Sequence, residues 1–395
     1  MSVLFAEGFT GIARGTDSFP GTNVIANMPN HRLYKLGWAP FSLYNSTTVG
    51  STLAQGIIEA DPVFGDRNRL DIKKNSSGGW TWLQFVTQAL DTSRHDKFVI
   101  GFMCQYLNNN NVSAAYGMSV AVFDGNAQTT LPTTSATTPA NLLCRFRLPN
   151  DGVTAGVAMS AAGTETTTSD QLKAGADIHY EILIETDVQR LRAYANGILV
   201  LDVPYTGAFK SRAGFGLGMW SGPAATDGNG TIDMKFSNVY ALGIDTVHPT
   251  KLGPATRILE MAPPSDQTVE WNRPDGFASN ASVLQQLFDN SAPKYLSTGG
   301  PAKDLYTGFD AVSANAGELY GVSFRVRAQT MADGTHLLKG LVSSGTSELE
   351  SANAATLQLA NPVNFSFDAS VNPATGQKWT VSQLAAAGIG MKLTQ

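Results

Sequence analysis

Between Leu191 and Val203 the chain runs Leu-Arg-Ala-Tyr-Ala-Asn-Gly-Ile-Leu-Val-Leu-Asp-Val. Two strand-like stretches meet there at Asn196-Gly197. Asn-Gly tolerates positive φ at both central positions of a type I′ turn, whose twist matches that of the flanking strands, so the dipeptide predicts a tight hairpin. The same grammar recurs along the first half. Phe98–Leu107, Tyr116–Asp124, Leu142–Leu148, Ile178–Glu185, Gly214–Trp220 and Ile232–Leu242 are rich in β-branched and aromatic residues, and Asp124-Gly125-Asn126 and Asp227-Gly228-Asn229-Gly230 punctuate them. Many short antiparallel strands separated by such turns imply a β-sandwich.

At 395 residues the chain exceeds what one compact core organises, which predicts two domains. Hydrophobic residues make up 43% of it, ample for packed cores, whereas the 39 glycines argue against long helices. With 15% charged residues, a net charge of −5 and no long basic run, it lacks the surface that displaces counterions from phosphate, so no nucleic-acid partner is expected. Apolar runs such as Val99–Cys104 are strand-sized, short of the roughly 20 residues that cross a bilayer, so no membrane insertion is expected. The start, Met1 to Phe9, has no basic segment followed by an apolar core and does not read as a signal peptide. Cys104 and Cys144 each sit in an apolar run and read as buried free thiols, pointing to synthesis in a reducing cytosol.

The first domain is assigned to residues 1–245 and the second to 254–395, joined by the polar Pro/Gly connection Asp245–Gly253. In the second, a strand is expected at Thr256–Met261. A helical face follows at Asn280–Phe288, with Val283, Leu284, Leu287 and Phe288 as its apolar residues. Strands are expected at Leu319–Gln329, Thr335–Ser343, Val363–Ala369 and Ile389–Leu393. A short helix from Thr380, as N-cap, through Ala387 would stop at Gly388. The expected fold is therefore mostly all-β, a sandwich plus a smaller β-rich domain with one or two short helices.

No arrangement in the sequence makes a compelling catalytic site. Glu181 and Glu185 fall on one face of a strand, as paired glycosidase carboxylates would. The residue between them on that face, however, is the apolar Leu183, so they read as the outward polar face of a half-buried strand. Asp227, Asn229, Thr231 and Asp233 alternate oxygen-bearing side chains, yet a glycine-rich hairpin turn explains them better than a Ca²⁺ loop. His31, His95, His179, His248 and His336 have no metal-ligand spacing, and no phosphate loop or nucleophile elbow occurs. No enzyme activity, metal or cofactor is therefore expected. Trp80 and Trp82 share a face of any strand there and would either fill the core or anchor a glycan or an interface. Trp38 and Trp220 read as core, and Gln128–Ala140 as a long exposed loop where binding could sit.

Several of these segments also resemble bacteriophage structural proteins. Leu4-Phe-Ala-Glu-Gly-Phe9, the hairpin from Ile178 to Val203 and the closing run Ile232–Leu242 resemble the concanavalin A-like (LamG-like) jelly-roll sandwich found among them. Leu252-Gly-Pro254, Pro293–Ser297 and Asn372-Pro-Ala-Thr-Gly-Gln-Lys-Trp-Thr380 resemble a C-terminal domain of phage virion proteins. The resemblance implies a tailed-phage virion structural protein of the tail, baseplate or capsid exterior. It would be made in the host cytoplasm, would pack against other virion proteins, and would work as a homo-oligomer. A receptor module for host surface glycans is the alternative, and a glycoside hydrolase using Glu181 and Glu185 the third reading.

Overall fold

The structure, a computed structural model, describes residues 2–9, 15–20, 38–45, 52–61, 68–76, 80–86, 90–93, 95–109, 116–124, 142–149, 158–161, 164–167, 175–205, 212–221, 230–246, 249–285, 295–309, 317–359 and 362–394. Among them the chain is mostly strand, with two short helices, Asn280–Leu284 and Val381–Ala385.

Residues 2–243 form two antiparallel sheets. The larger has the order Ile198–Pro204, Arg190–Ala195, Asp177–Glu185, Lys97–Asn109, Gly230–Gly243, Asn68–Ser76, Thr52–Ala60 and Gly15–Pro20. Ser2–Glu7 also pairs with Gly230–Gly243. The smaller has the order Thr164–Thr167, Ala158–Ala161, Leu142–Pro149, Tyr116–Asp124, Arg212–Ser221, Trp80–Val86 and Ala39–Asn45, with Leu90–Asp91 beside Arg212–Ser221. The hairpin expected at Asn196-Gly197 is present, with φ of 48° and 84° at the two residues.

Alternation supplies the core between the sheets. Phe98, Ile100, Phe102, Cys104 and Tyr106 all turn inward from one strand and are buried. Rings meet across the gap, Phe102 against Phe146 at 6.1 Å and Phe5 against Phe215 at 5.4 Å. Trp38 fills the same core, edge-on to both Phe5 and Phe215. This is the two-sheet sandwich that the jelly-roll resemblance implies. Cys104 and Cys144 are buried, unbridged thiols, and burial pushes Cys144 up to about 12.

Residues 265–393 build a separate sheet in the order Ser265–Val269, Ala302–Thr307, Gly388–Leu393, Leu337–Ser344 and Ser347–Glu350, with Ala355–Thr356 beside Leu337–Ser344. A two-stranded ribbon, Val322–Ala328 with Val363–Ala369, completes this half. The Asn372–Thr380 run is a folded turn that seats Trp379 in the core. Trp379 Nε1 donates to the Ala369 carbonyl at 3.0 Å, and Asn372 accepts from the Ala374 amide and donates to Ser344. Thr380 caps the second helix in a reciprocal box with Gln383.

Three expectations for this half need correction. Thr256–Met261 forms no strand, because its backbone lies across the larger sheet instead of pairing with a neighbour. Gly388 does not end the helix. It opens the last strand, in a spot where a Cβ would collide with Gln267 and Ser343. The first helix stops at Leu284, and Leu287 and Phe288 lie outside the described residues.

Candidate functional site

The outer face of the larger sheet, opposite the core, carries the side chains of chemical interest. Strand register stacks them in rows. Asp71 stands opposite Lys235, Lys235 opposite Gln105, and Gln105 opposite Asp177, so one row of polar side chains crosses four adjacent strands. The next row holds Glu59 opposite Arg69, then Ser237, Met103 and His179. A third holds Tyr240 opposite Gly101 opposite Glu181.

Ion pairs stitch the first two rows together. Glu59 Oε1 accepts from Arg69 Nε at 2.7 Å and from Lys235 Nζ at 2.9 Å, and Lys235 Nζ lies 3.8 Å from Asp71. Arg69 also donates to Gln105 Oε1, whose Nε2 donates to the Gly175 carbonyl at 2.9 Å. Burial alone would raise Glu59, but hydrogen bonds from Lys235 and Arg69 outweigh it and hold the carboxyl below its usual range. Asp177 at the end of the row moves the other way, raised by burial and by the like charge of Asp61 despite the cations Arg69 and Lys235. Arg69 and Asp71 are buried, whereas Glu59 keeps 28% of its side chain exposed and Gln105 and Asp177 are half-buried. The row thus has a rigid, charge-paired base and a partly open rim.

The third row is closed. Glu181 is 1% exposed and Glu185 is 3% exposed, so they do not form the outward polar face expected of them. Residues 249–260 of the connector cover this part of the sheet, and Leu252 and Ile258 pack with Val99, Tyr240 and Leu242. Glu181 Oε1 accepts from the Leu252 and Gly253 amides at 2.9 and 3.0 Å and from Tyr240 Oη at 3.0 Å. Lys251 Nζ lies 3.6 Å from its other oxygen. His179 Nε2 meets Tyr240 Oη at 3.0 Å, and the two rings stack. Because Tyr240 donates to Glu181, it must accept from His179, which places the imidazole proton on Nε2. Burial, with help from Arg257 and Lys251, depresses His179 to about 4 against the pull of Glu181, so it is neutral at pH 7. Glu185 is held by Lys97 at 2.8 Å and by Arg192. The two glutamates therefore bind the protein's own segments and do not face a common cleft.

A second polar contact joins the two halves. Glu7 is buried, accepting from the Phe9 amide, from Trp38 Nε1 and, at 2.6 Å, from Arg325 of the ribbon. Burial would raise Glu7, but the Arg325 charge and these hydrogen bonds hold it below the usual carboxylate range. Arg325 also lies 4.7 Å over the Phe5 ring, and Glu260 accepts from the Gly8 amide.

Trp80 and Trp82 stand on Trp80–Val86 in the smaller sheet, away from these rows, and their side chains lie outside the described residues, as does that of Trp220. The loop Gln128–Ala140, His31, His248, Asp227 and Asn229 also lie outside them. Thr231 and Asp233 belong to the strand Gly230–Gly243, and His95 packs over Gly243. Among the described residues no three His, Cys, Asp or Glu side chains cluster as metal ligands. The polar rows were missed in the sequence because Asp71, Lys235, Gln105 and Asp177 are far apart along the chain, and only pairing register aligns them.

No protein-family model and no curated protein matches the chain. Solved structures to which it is similar include a sialidase, at 11% identity and a TM-score of 0.36, over 62% of this chain but only 19% of the sialidase. Another is lectin II from Ulex europaeus, at 10% identity and 0.31, over 50% of this chain and 97% of the lectin. A third is a glycoside hydrolase family 16 endo-glucanase from Bacteroides ovatus, at 12% identity and 0.35, over 58% and 99%. At such identities and TM-scores these likenesses carry no argument about activity or origin.

Proposed function

We propose that this protein binds carbohydrate on the outer face of its larger sheet and leaves it intact. The row Asp71–Lys235–Gln105–Asp177 carries this reading. Its half-buried members Gln105 and Asp177, with the partly exposed Glu59 of the adjacent row, present an amide and carboxylate acceptors. The buried Asp71 and largely buried Lys235 hold them from below, in positions about 4.8 Å apart from strand to strand. Sugar hydroxyls are read by such convergent, preorganised polar groups. Binding without cleavage fits the spacing. Asp71 and Asp177 are three strand intervals, about 14 Å, apart, beyond the roughly 6.5–9.5 Å that even inverting glycosidases use. Glu181 and Glu185 are committed to Leu252, Gly253, Tyr240, Lys97 and Arg192.

A glycan array probed with the full chain tests the reading, alongside Gln105→Ala and Asp177→Asn. The expected result is a sugar bound at or below millimolar concentration, with affinity falling at least roughly tenfold in both variants. No bound sugar, or variants that bind unchanged, refutes it.

A second reading is supported by the Asn372–Thr380 turn and its resemblance to phage virion proteins. In this reading the chain is a tail, baseplate or capsid-exterior component, an oligomer packed against other virion proteins. Two halves joined by buried polar contacts suit a rigid building block. Density for this chain in images of purified particles supports that role, and its absence from particles rejects it.

A further inference from the structure

We propose that the connector 251–258 is an acid-released strap, docked over His179 at neutral pH and detached from the sheet in mild acid while the sandwich stays folded. The inference is independent of the glycan reading.

The strap is held by the packing of Leu252 and Ile258 on Val99, Tyr240 and Leu242 and by a small set of polar contacts, of which the chain Glu181–Tyr240–His179 is the centre. Its Leu252 and Gly253 amides donate to Glu181, its Ile258 amide donates to Asn238 Oδ1 at 3.0 Å, and Lys251 lies 4.4 Å over the Tyr194 ring. Gly253, with φ of +81°, turns the backbone so that the two adjacent amides converge on one carboxylate oxygen. Glu181 is kept in place by Tyr240, and Tyr240 by His179.

His179 is where acid enters this chain. Its Nε2 proton is used on Tyr240, and among the described residues Nδ1 has no hydrogen-bond partner. A second proton would sit at Nδ1, buried, with nothing to accept it. Burial opposes that charge most, and the two cations of the strap add to it against the pull of Glu181. Its own strand contributes Glu181, the one carboxylate that would favour it. The neighbouring strand Gly230–Gly243 contributes Tyr240, a neutral phenol. Lys97–Asn109 offers Met103 and Gly101 opposite His179 and Glu181, neither of them titratable. The hairpin contributes Tyr194, and the second half Tyr320, both neutral at this pH. The strap itself brings Lys251 and Arg257, both cationic. Detaching it removes both cations and lets water reach Nδ1, so protonation and release favour one another.

The sign follows from linkage. A histidine held at about 4 when docked, against an ordinary 6.5, gives full docking strength above pH 6.5 and loses it as pH falls through that window toward 4. At pH 5 the docking equilibrium should weaken about thirtyfold.

Amide hydrogen exchange on the full chain at pH 7.5 and 5.0, corrected for intrinsic rates, reads this directly. Protection over residues 249–260 should fall about thirtyfold while that of 97–109 holds, and His179→Gln should remove the difference. Because that variant could misfold, the wild-type His179 ring is also titrated by NMR, and an apparent midpoint between about 4 and 6.5 that tracks the loss of protection is expected. Three results overturn the proposal: unchanged protection over 249–260, protection lost there and over 97–109 together, or a His179 titration that does not follow the release.

Discussion

Gly101 faces Tyr240 across the pairing of Lys97–Asn109 with Gly230–Gly243, and the phenol ring lies on its Cα. A Cβ there would overlap Cζ, Cε2 and Oη of that ring, so Gly101→Ala must tilt Tyr240 off the sheet. Tilting breaks the 3.0 Å bond to Glu181 and the 3.0 Å bond to His179. A hydrogen bond to a charged partner contributes about 1.5–3 kcal/mol and a neutral one about 0.5–1.5. Overpacking costs about 1–3 kcal/mol more, and loss of glycine's freedom in the unfolded chain returns about 0.4–1. The net expectation is a destabilisation of about 4 kcal/mol, a large part of the 5–15 kcal/mol that holds a typical domain together. Equilibrium urea unfolding measures it, with a midpoint lowered by about 2 M for a slope near 2 kcal/mol/M. The same change in a Tyr240→Ala background, where the ring is gone, should cost less than about 1 kcal/mol. If Gly101→Ala costs the same in both backgrounds, the glycine is not there for the tyrosine and the reasoning fails.

Arg325→Met should cost about 3 kcal/mol by leaving the buried Glu7 carboxylate unpaired. Glu7→Gln should cost less because Arg325 keeps 28% of its side chain exposed, and the double variant should recover part of the larger loss in denaturant titration. Thr380→Ala should cost about 1 kcal/mol through loss of the helix cap, read as a lower thermal midpoint. Cys104 and Cys144 should be silent to a thiol reagent in the native protein and both should react in denaturant, since burial keeps them protonated. One fast-reacting native thiol would contradict their placement in the core.

Local chemistry was the legible part of this chain. Tyr116–Asp124 and Val363–Ala369 are strands over those very residues, and the Asn196-Gly197 turn and the Thr380 cap have the geometry their side chains predict. The sequence misled where one segment covers another. Strand alternation correctly puts Glu181 on the outer face, but it cannot show that the connector, about 70 residues later, lies on that face and donates two amides to it. Thr256–Met261 failed as a strand for the related reason that Ile258 packs onto a sheet it does not extend. Ser265–Val269 was missed because its sequence, Ser-Asp-Gln-Thr-Val, carries little apolar signal, although it pairs with Ala302–Thr307. The functional rows depend on register among strands distant in sequence, which no local pattern encodes.

The covering of Glu181 also bears on how the chain is synthesised. A ribosome finishes all the strands of the sandwich by Gly243, yet the amides that satisfy Glu181 arrive at Leu252 and Gly253, and the guanidinium that neutralises Glu7 only at Arg325. Until then a nascent chain holds two carboxylates and the apolar strip of Val99, Tyr240 and Leu242 without their covers. Expressed alone, residues 1–245 should therefore be prone to self-association, with the later residues acting as a built-in chaperone for the earlier ones.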